Sequence, residues 1–319
     1  MIISKTPFRI SLFGGSTDYE SFYSEHGSLL IGFTIDKYCY ISVRENPKIF
    51  DYKSKISYSE IERVDDNALI KHNGVRGVLE YLNLLNERLE ISTFSDLPAQ
   101  TGIGSSSAFV AGLIKALRPL TNKLNLAKLA ILVERHHLKE AGGIQDQIWA
   151  AYGGLNSIEI DRGGIFNVRP LPVSDEFIRD FTERSFLIYT GNNRQSFKIA
   201  SSHDTGSEDD NKHNIQSLAY DGLSAFTHED INEIAYILDE SWQAKKNISK
   251  LVSTPEVDEM MDYLSNYGML GGKLIGSGGS GFIFGIAKDI REKEHIKQMF
   301  SQKYIDFSIS KTGSSIINE

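Results

Sequence analysis

The segment Pro98-Ala-Gln-Thr-Gly-Ile-Gly-Ser-Ser-Ser-Ala108 places glycines and hydroxyls where a phosphate group needs them. Gly102 and Gly104 let the backbone come close to a ligand and take φ values that other residues avoid. Ser105, Ser106 and Ser107 then open a predicted helix over 105–117. The first-turn N–H groups and positive dipole end of such a helix suit an anion. Ser105 could equally be a simple N-cap with the glycines forming a turn. Three serines leading into a small-residue helix, after a strand ended by Pro98, favour the anion site.

A second run, Gly276-Ser-Gly-Gly-Ser-Gly281, formally matches the dinucleotide fingerprint GxGxxG. That fingerprint needs a helix after its last glycine, whereas Phe282-Ile-Phe-Gly-Ile286 reads as strand, which disfavours a nicotinamide oxidoreductase. The run is either a tight hairpin or a glycine loop over phosphates. HRD and DFG sequences are absent, as are GxxxxGK[ST], GxSxG and HExxH.

Two carboxylates complete the set. Glu134 falls on a helix predicted over 126–140 that ends at Gly142-Gly143, and Asp146 follows in Gly142-Gly-Ile-Gln-Asp-Gln147. A lone acidic residue is usually a solvated surface group. A hydroxyl and two carboxylates beside a phosphate loop are what Mg²⁺ and a hydroxyl nucleophile require. Magnesium takes oxygen ligands and bridges phosphate oxygens, while an aspartate orients or deprotonates the attacking hydroxyl.

The elements that must hold these groups form a mixed, α+β pattern. Residues 2–13 read as a strand running into Gly14-Gly15, and residues 28–45 as one or two long strands. Apolar residues from Ala68 to Leu85 recur at helical spacing, and LEISTFSDLP returns to strand until Pro98. RPLPVSDE, near 170–185, reads as a boundary before the strand SFLIYTG. Residues 203–213 contain no large apolar side chain and predict a mobile surface loop. Helices follow to about Asn266, then strand KLI, the glycine loop, strand FIFGIA, a helix over 289–300 and strand DFSIS.

A chain of 319 residues predicts two domains, with core enough to fold without disulfide or metal staples. The net charge of −8 argues against nucleic acid and anionic lipid as partners. Cys39 is the only cysteine, so no intrachain disulfide or cysteine metal cluster forms. Lys5 and Arg9 interrupt the stretch where a signal peptide would need an apolar core, and no window of about 18 apolar residues occurs. The expectation is a cytoplasmic monomer or homodimer with small-molecule partners.

Three separated stretches carry a resemblance: Pro7-Phe-Arg-Ile-Ser-Leu-Phe-Gly-Gly-Ser-Thr-Asp-Tyr19, Pro98–Ala108, and Lys273-Leu-Ile-Gly-Ser-Gly-Gly-Ser-Gly281. In order and spacing they resemble the motifs of the GHMP kinases, a family that includes galactokinase, homoserine kinase, mevalonate kinase and phosphomevalonate kinase. The resemblance spans essentially the whole chain. It implies an amino-terminal domain (1–180) with the fold of ribosomal protein S5 domain 2, a ferredoxin-like carboxy-terminal domain (181–319), and an active site between them. It implies ATP and Mg²⁺ as cofactors. Gly102, Ile103, Gly104, Ser105, Ser106 and Ser107 would cradle the nucleotide phosphates, and Ser106 with Glu134 would hold Mg²⁺. Asp146 would act on the acceptor hydroxyl, and Arg9 would stabilise charge near the transferred phosphoryl group. Gly15, Thr17 and Asp18 would line the acceptor site, with Asp18 on sugar hydroxyls and Gly278 and Gly279 supporting from the other domain.

Within the family, Gly14-Gly-Ser-Thr-Asp-Tyr19 and Gly143-Ile-Gln-Asp-Gln147 are most similar to the D-glycero-D-manno-heptose 7-phosphate kinases. Ser16 stands where those enzymes carry a third glycine, and galactokinases would have Glu-His at Gly15-Ser16. The implied reaction is ATP-dependent phosphorylation of the anomeric hydroxyl of a heptose 7-phosphate to the 1,7-bisphosphate, toward nucleotide-activated heptose. Arg194 and Lys198, in Thr190–Lys198, would form the anion site for the phosphate already present. The alternatives are a kinase for an unphosphorylated, fucose- or galactose-like sugar, and a non-catalytic sensor on the same fold. Intact Arg9, Ser106, Glu134 and Asp146 favour catalysis over the sensor.

Overall fold

The computed structural model describes residues 1–191, 199, 201–204 and 210–318. Its first sheet is organised on an antiparallel pair, β1 (Ile2–Phe13) and β2 (Ser28–Glu45). The 28–45 segment is one strand of 18 residues, long enough to carry two neighbours along the same edge. Its second half pairs with β5 (Leu89–Ser95) and its first half with β6 (Leu155–Ile160). β3 (Ser54–Ser57) and β4 (Ile61–Val64) extend the sheet beyond β5, and β7 (Phe166–Pro170) extends it beyond β6.

Helices cover one face of this sheet. α1 (Glu20–His26) follows the first glycine turn. α3 (Ser105–Leu117) spans the residues expected and packs on β1 and β2, beside α2 (Asn73–Tyr81), α4 (Lys123–Ile131) and α5 (Gln145–Tyr152). Gly112 sets how tightly α3 lies: a Cβ there would stand 2.8 Å from Thr6 Oγ1 on β1.

After α6 (Asp175–Arg184) the chain enters a second, four-stranded sheet. It is built from β8 (Ser185–Gly191), α7 (Asp210–Thr227), α8 (Ile231–Ile248), α9 (Pro255–Asn266), β9 (Met269–Leu274), β10 (Gly281–Ala287), α10 (Ile290–Met299) and β11 (Tyr304–Ile305). The strand order β11-β8-β10-β9, antiparallel throughout, is the ferredoxin-like arrangement. Among the described residues no helix is long and apolar enough to cross a membrane.

Several expectations need correction. The helix predicted over 68–85 is a short 3₁₀ turn (Asn67–Leu69) followed by α2, because the His72 ring accepts from Val75 N and starts the helix afresh. The helix predicted over 126–140 begins earlier, at Lys123 behind an Asn122 cap, and ends in a π turn over Leu132–His137. The 170–185 boundary contains α6, which buries Phe177 and Phe181. Of the expected surface loop at 203–213, residues 205–209 lie outside the described residues; at its two ends His203 and Lys212 are buried, and 210–213 belong to α7. Polar composition misled at these ends because His203 is buried against the Ser16 hydroxyl and Lys212 over the rings of Tyr19 and Phe22.

The carboxyl end departs most. DFSIS is not a strand of the second sheet. Ile309 bridges Ile35, and β12 (Ser315–Asn318) pairs with β1, so the expected 181–319 unit returns its last residues to the first sheet. The two cores also fuse. Phe33 of β2 has ring centroids 6.0 Å from Phe181, 5.7 Å from Phe284 on β10 and 6.0 Å from Phe307 in the tail. Phe284→Ala should therefore destabilise the whole protein by about 3–5 kcal/mol. Denaturant unfolding followed by separate probes in each sheet should show one shared transition at a lower midpoint.

Candidate active site

Where the sheets meet, a cavity of about 590 Å³ opens onto the first turn of α3. Gly104 is the N-cap, with φ 73° and ψ 29°, and among the described residues no side chain caps the helix. Ser105 is thus the first helical residue rather than the cap, and the amide end of a 13-residue helix faces the cavity. Gly102 and Gly276 lie backbone against backbone. A Cβ on Gly276 would stand 2.2 Å from Gly102 Cα, and one on Gly102 would stand 2.3 Å from the Ile275 carbonyl oxygen. Both have positive φ, +79° and +83°. The two glycine loops therefore form one floor, and any side chain at either position would part them.

Under this floor, Arg9 on β1 grips Asp146 in the first turn of α5. Arg9 Nε donates to Asp146 Oδ1 at 2.8 Å and Nη2 donates to Oδ2 at 2.9 Å. Arg9 Nη1 donates to the Gly102 carbonyl, which ties the pair to the phosphate loop. A Cβ on Gly104 would lie 3.4 Å from Asp146 Oδ2, so carboxylate and helix end are immediate neighbours.

Glu134 is fully buried, and burial pushes its pKa up. Its Oε2 accepts from Ser107 Oγ at 2.7 Å and from Gln147 Nε2, and its Oε1 accepts from Ser106 Oγ at 2.9 Å. Ser106 Oγ also lies 3.3 Å from Glu140 Oε2. The π turn brings Glu140 there: Leu138 N bonds to Val133 O, and Glu140 N to Glu134 O. Turns of this kind recur at functional sites. Ser106, Glu134 and Glu140 offer an all-oxygen partial shell. Among the described residues no cluster of three or more His, Cys, Asp or Glu could hold a metal alone. An incomplete oxygen shell beside a phosphate loop fits Mg²⁺, which keeps places for phosphate and water.

The first glycine turn forms the opposite wall. Asp18 is buried, which pushes its pKa up, and accepts from Ser16 N (3.2 Å), Gln145 N (3.1 Å) and Gln145 Nε2 (3.0 Å). A Cβ on Gly143 would stand 1.9 Å from Asp18 Oδ2, so only glycine fits there. Gln145 and Asp146 are adjacent, so the first turn of α5 holds the Asp18 carboxylate through Gln145 and presents that of Asp146 beside it.

Other expected site residues are placed differently. Gly15, Ser105 and Ser106 line the cavity. Thr17 is turned away from it, donating to the Gly14 carbonyl at 2.7 Å and sharing a 2.6 Å hydrogen bond with Ser28 Oγ, and so shapes the turn. The Ile103 side chain is in the core while its carbonyl accepts from Arg9 N at 3.1 Å. Ser107 acts on Glu134 through its side chain. Gly278 and Gly279 pack on Val252 and Ile199, and the loop presents Gly276 and Ser277 to the cavity instead. Arg194 and Lys198 lie outside the described residues.

Sequence reasoning missed three basic residues on the cavity wall, Lys245, Lys273 and His203. Lys245 on α8 donates to the Gly276 carbonyl; burial, with Arg9 nearby, pushes its pKa down to about 7. Lys273 on β9 donates to the Leu12 carbonyl at 2.7 Å, across the two sheets, and burial lowers its pKa strongly. Lys273 had a visible signal in its place at the head of the third motif. Lys245 sits on an amphipathic helix, where a lysine ordinarily reads as solvated.

Residues 72–154 match the family described as the GHMP kinases N terminal domain, and residues 223–306 match GHMP kinases C terminal. The chain is 31% identical to D-glycero-alpha-D-manno-heptose 7-phosphate kinase of Campylobacter jejuni, over 98% of this chain and 97% of the relative. It is 26% identical to the bifunctional fucokinase/GDP-fucose pyrophosphorylase of Arabidopsis thaliana, over 76% of this chain and 24% of that protein. Its fold matches the crystal structure of a D-glycero-D-manno-heptose 1-phosphate kinase from Bacteriodes thetaiotaomicron with a TM-score of 0.79. That match is at 23% identity and covers 100% of this chain and 99% of the other.

The contact between the glycine loops is testable by contrast. Gly191 has φ +118°, yet among the described residues no atom lies within 4 Å of a Cβ built there. Gly191→Ala should cost only backbone strain, about 1 kcal/mol. Gly276→Ala must also displace the Gly102 backbone and should lower the melting temperature further and raise KM for ATP. Thermal melts and ATP saturation curves of the two variants provide the comparison.

Proposed function

The chain belongs to the GHMP kinases, and on that premise we propose that it phosphorylates the anomeric hydroxyl of a heptose 7-phosphate to give the 1,7-bisphosphate. It is an ATP-dependent phosphotransferase with an alcohol acceptor, as its family and its relatives establish. One observation carries the finer reading: the end of α5 places Asp146, gripped by Arg9, beside Gly104, and Gln145, bonded to Asp18, next to it. Phosphoryl donor and sugar hydroxyls then meet at adjacent residues. The heptose itself is supported by the identity to the Campylobacter jejuni heptose 7-phosphate kinase.

The residues take the following parts. Backbone amides at 105–107 and the floor of Gly102 and Gly104 bind the nucleotide phosphates. Ser106 Oγ and Glu134 Oε1, with Glu140 beside them, would hold Mg²⁺, which would supply charge neutralisation for the nucleotide phosphates. Asp18 and Gln145 orient the sugar so that its anomeric hydroxyl faces Asp146. The hydroxyl gives its proton to Asp146 as its oxygen bonds to the γ-phosphorus, and the bond to the β–γ bridging oxygen breaks to release ADP. Arg9 keeps Asp146 aimed through its two hydrogen bonds, and its cation offsets charge on the transferred group. Arg194, with Lys198, is proposed to take the distal phosphate by its planar fork.

Identity to a fucokinase across three quarters of the chain supports a second reading, an unphosphorylated sugar as acceptor. An ATP-consumption screen with D-glycero-D-manno-heptose 7-phosphate, the free heptose, fucose and galactose separates them; preference for any free sugar would overturn the first reading. Asp146→Asn keeps the shape and one acceptor for Arg9, so the fold should survive while turnover falls about 10²–10⁴-fold with KM for ATP little changed.

The metal assignment has its own readout. Glu134→Gln removes the anionic ligand and should raise the half-saturating Mg²⁺ concentration. Because burial raises the Glu134 pKa, acidification protonates it before ordinary carboxylates, so half-saturation in the unaltered enzyme should rise as pH falls. Mg²⁺ titrations across pH should show that dependence lost in the Gln variant.

A further inference from the structure

Ser16 is the residue that departs from the glycine pattern of its turn, and its backbone shows why the departure matters. It has φ +85°, a conformation that glycine adopts freely and serine does not. Local sequence does not require a side chain here, since Gly14 and Gly15 precede it. A non-glycine residue persists at such a φ only where its surroundings hold it there. The holding contact comes from far along the chain. Ser16 Oγ lies 2.7 Å from His203 Nδ1, across 187 residues, with both side chains buried. The Ser16 N–H in turn donates to Asp18 Oδ1, the carboxylate aimed at the sugar. Ser16, Asp18 and His203 all line the cavity.

The segment carrying His203 is anchored on both sides. Asp204 accepts a hydrogen bond from Ser21 Oγ at the start of α1. Ile199 is buried against Gly279, where a Cβ would stand 2.4 Å from its Cδ1. Ile199, His203 and Asp204 therefore join the first glycine turn to the third-motif loop. Burial, with Lys245 nearby, pushes the His203 pKa down to about 3, so the ring is neutral and adds no second charge beside Lys245. A neutral imidazole bonded to a hydroxyl suits a wall that meets sugar hydroxyls rather than phosphate.

We propose that Ser16 and His203 form a positioning pair that fixes the acceptor turn and thereby selects the sugar held against Asp18. The inference rests on the sugar-kinase reading of the same cavity. Its test uses steady-state kinetics with D-glycero-D-manno-heptose 7-phosphate and ATP, together with thermal melts, on Ser16→Gly, His203→Ala, His203→Asn and the Ser16→Gly/His203→Ala double variant. Ser16→Gly relieves the backbone, so its melting temperature should equal or exceed that of the unaltered enzyme. Its KM for the sugar phosphate should nevertheless rise about 3- to 10-fold, the loss of one buried hydrogen bond, while KM for ATP stays put. His203→Ala should raise the sugar KM similarly and add little in the double variant. His203→Asn should restore much of the loss, because its amide can take the place of Nδ1. An unchanged sugar KM in Ser16→Gly, or equal rises in sugar and ATP KM, would overturn the pair as a positioning device. If the unaltered protein phosphorylates no sugar or sugar phosphate at all, the reading of the cavity falls first and takes this inference with it.

Discussion

The contact between Gly102 and Gly276 is the constraint on which the rest of the site depends. Two loops from two sheets meet with no side chain between them, at 2.2 Å from a notional Cβ to the opposing Cα. That closeness lets Arg9 reach the Gly102 carbonyl and Lys245 reach the Gly276 carbonyl, so each loop is tied to a cation as well as to the other loop. It also sets the cavity's depth, because the amide end of α3 and the Arg9–Asp146 pair lie on the same floor. Glycine is needed for a geometric reason, and the phosphate chemistry follows from the geometry.

The charges around the floor form a second constraint. Arg9, Lys245 and Lys273 are buried on the cavity wall, as are Asp18 and Glu134. Taking such groups from water is costly unless they are paired. Here the carboxylates are satisfied by Arg9, Gln145, Ser107 and Gln147, whereas Lys245 and Lys273 are given a carbonyl each. A triphosphate or sugar phosphate brings negative charge that favours the protonated form of both lysines, whose pKa burial lowers. The protein therefore holds in its resting fold part of the electrostatic arrangement that phosphoryl transfer requires.

Much of this was legible in the sequence, and the limits have physical causes. The strand–glycine–serine–helix order of 98–117 placed α3 and the glycine turn before it correctly, since local pattern dictates both. The 18-residue β2 and the glycine loop between β9 and β10 were equally visible. Glu140 was hidden because a π turn shifts the helix out of the 3.6-residue register by which faces are read. Lys245 and His203 were hidden because burial is a property of the fold, and no spacing in the chain announces that a lysine or histidine will face a neighbour far away in sequence. Thr17, Gly278 and Gly279 lie in recognisable motifs yet turn away from the cavity, which shows that a motif marks a loop more reliably than it marks each side chain within it.

The return of β12 to the edge of β1 has a consequence for how the protein is made. β1 carries Arg9 and leaves the ribosome long before β12, the neighbour that covers its outer edge. Until β12 emerges, that edge exposes unpaired N–H and C=O groups of the kind that recruit foreign strands. Thr6, on the same strand, waits for Ser314 in the same way, with a hydroxyl pair at 2.8 Å that forms only once the tail arrives. The nascent chain thus holds Arg9 on an unfinished edge until β12 arrives, and that strand closes the edge to misassembly.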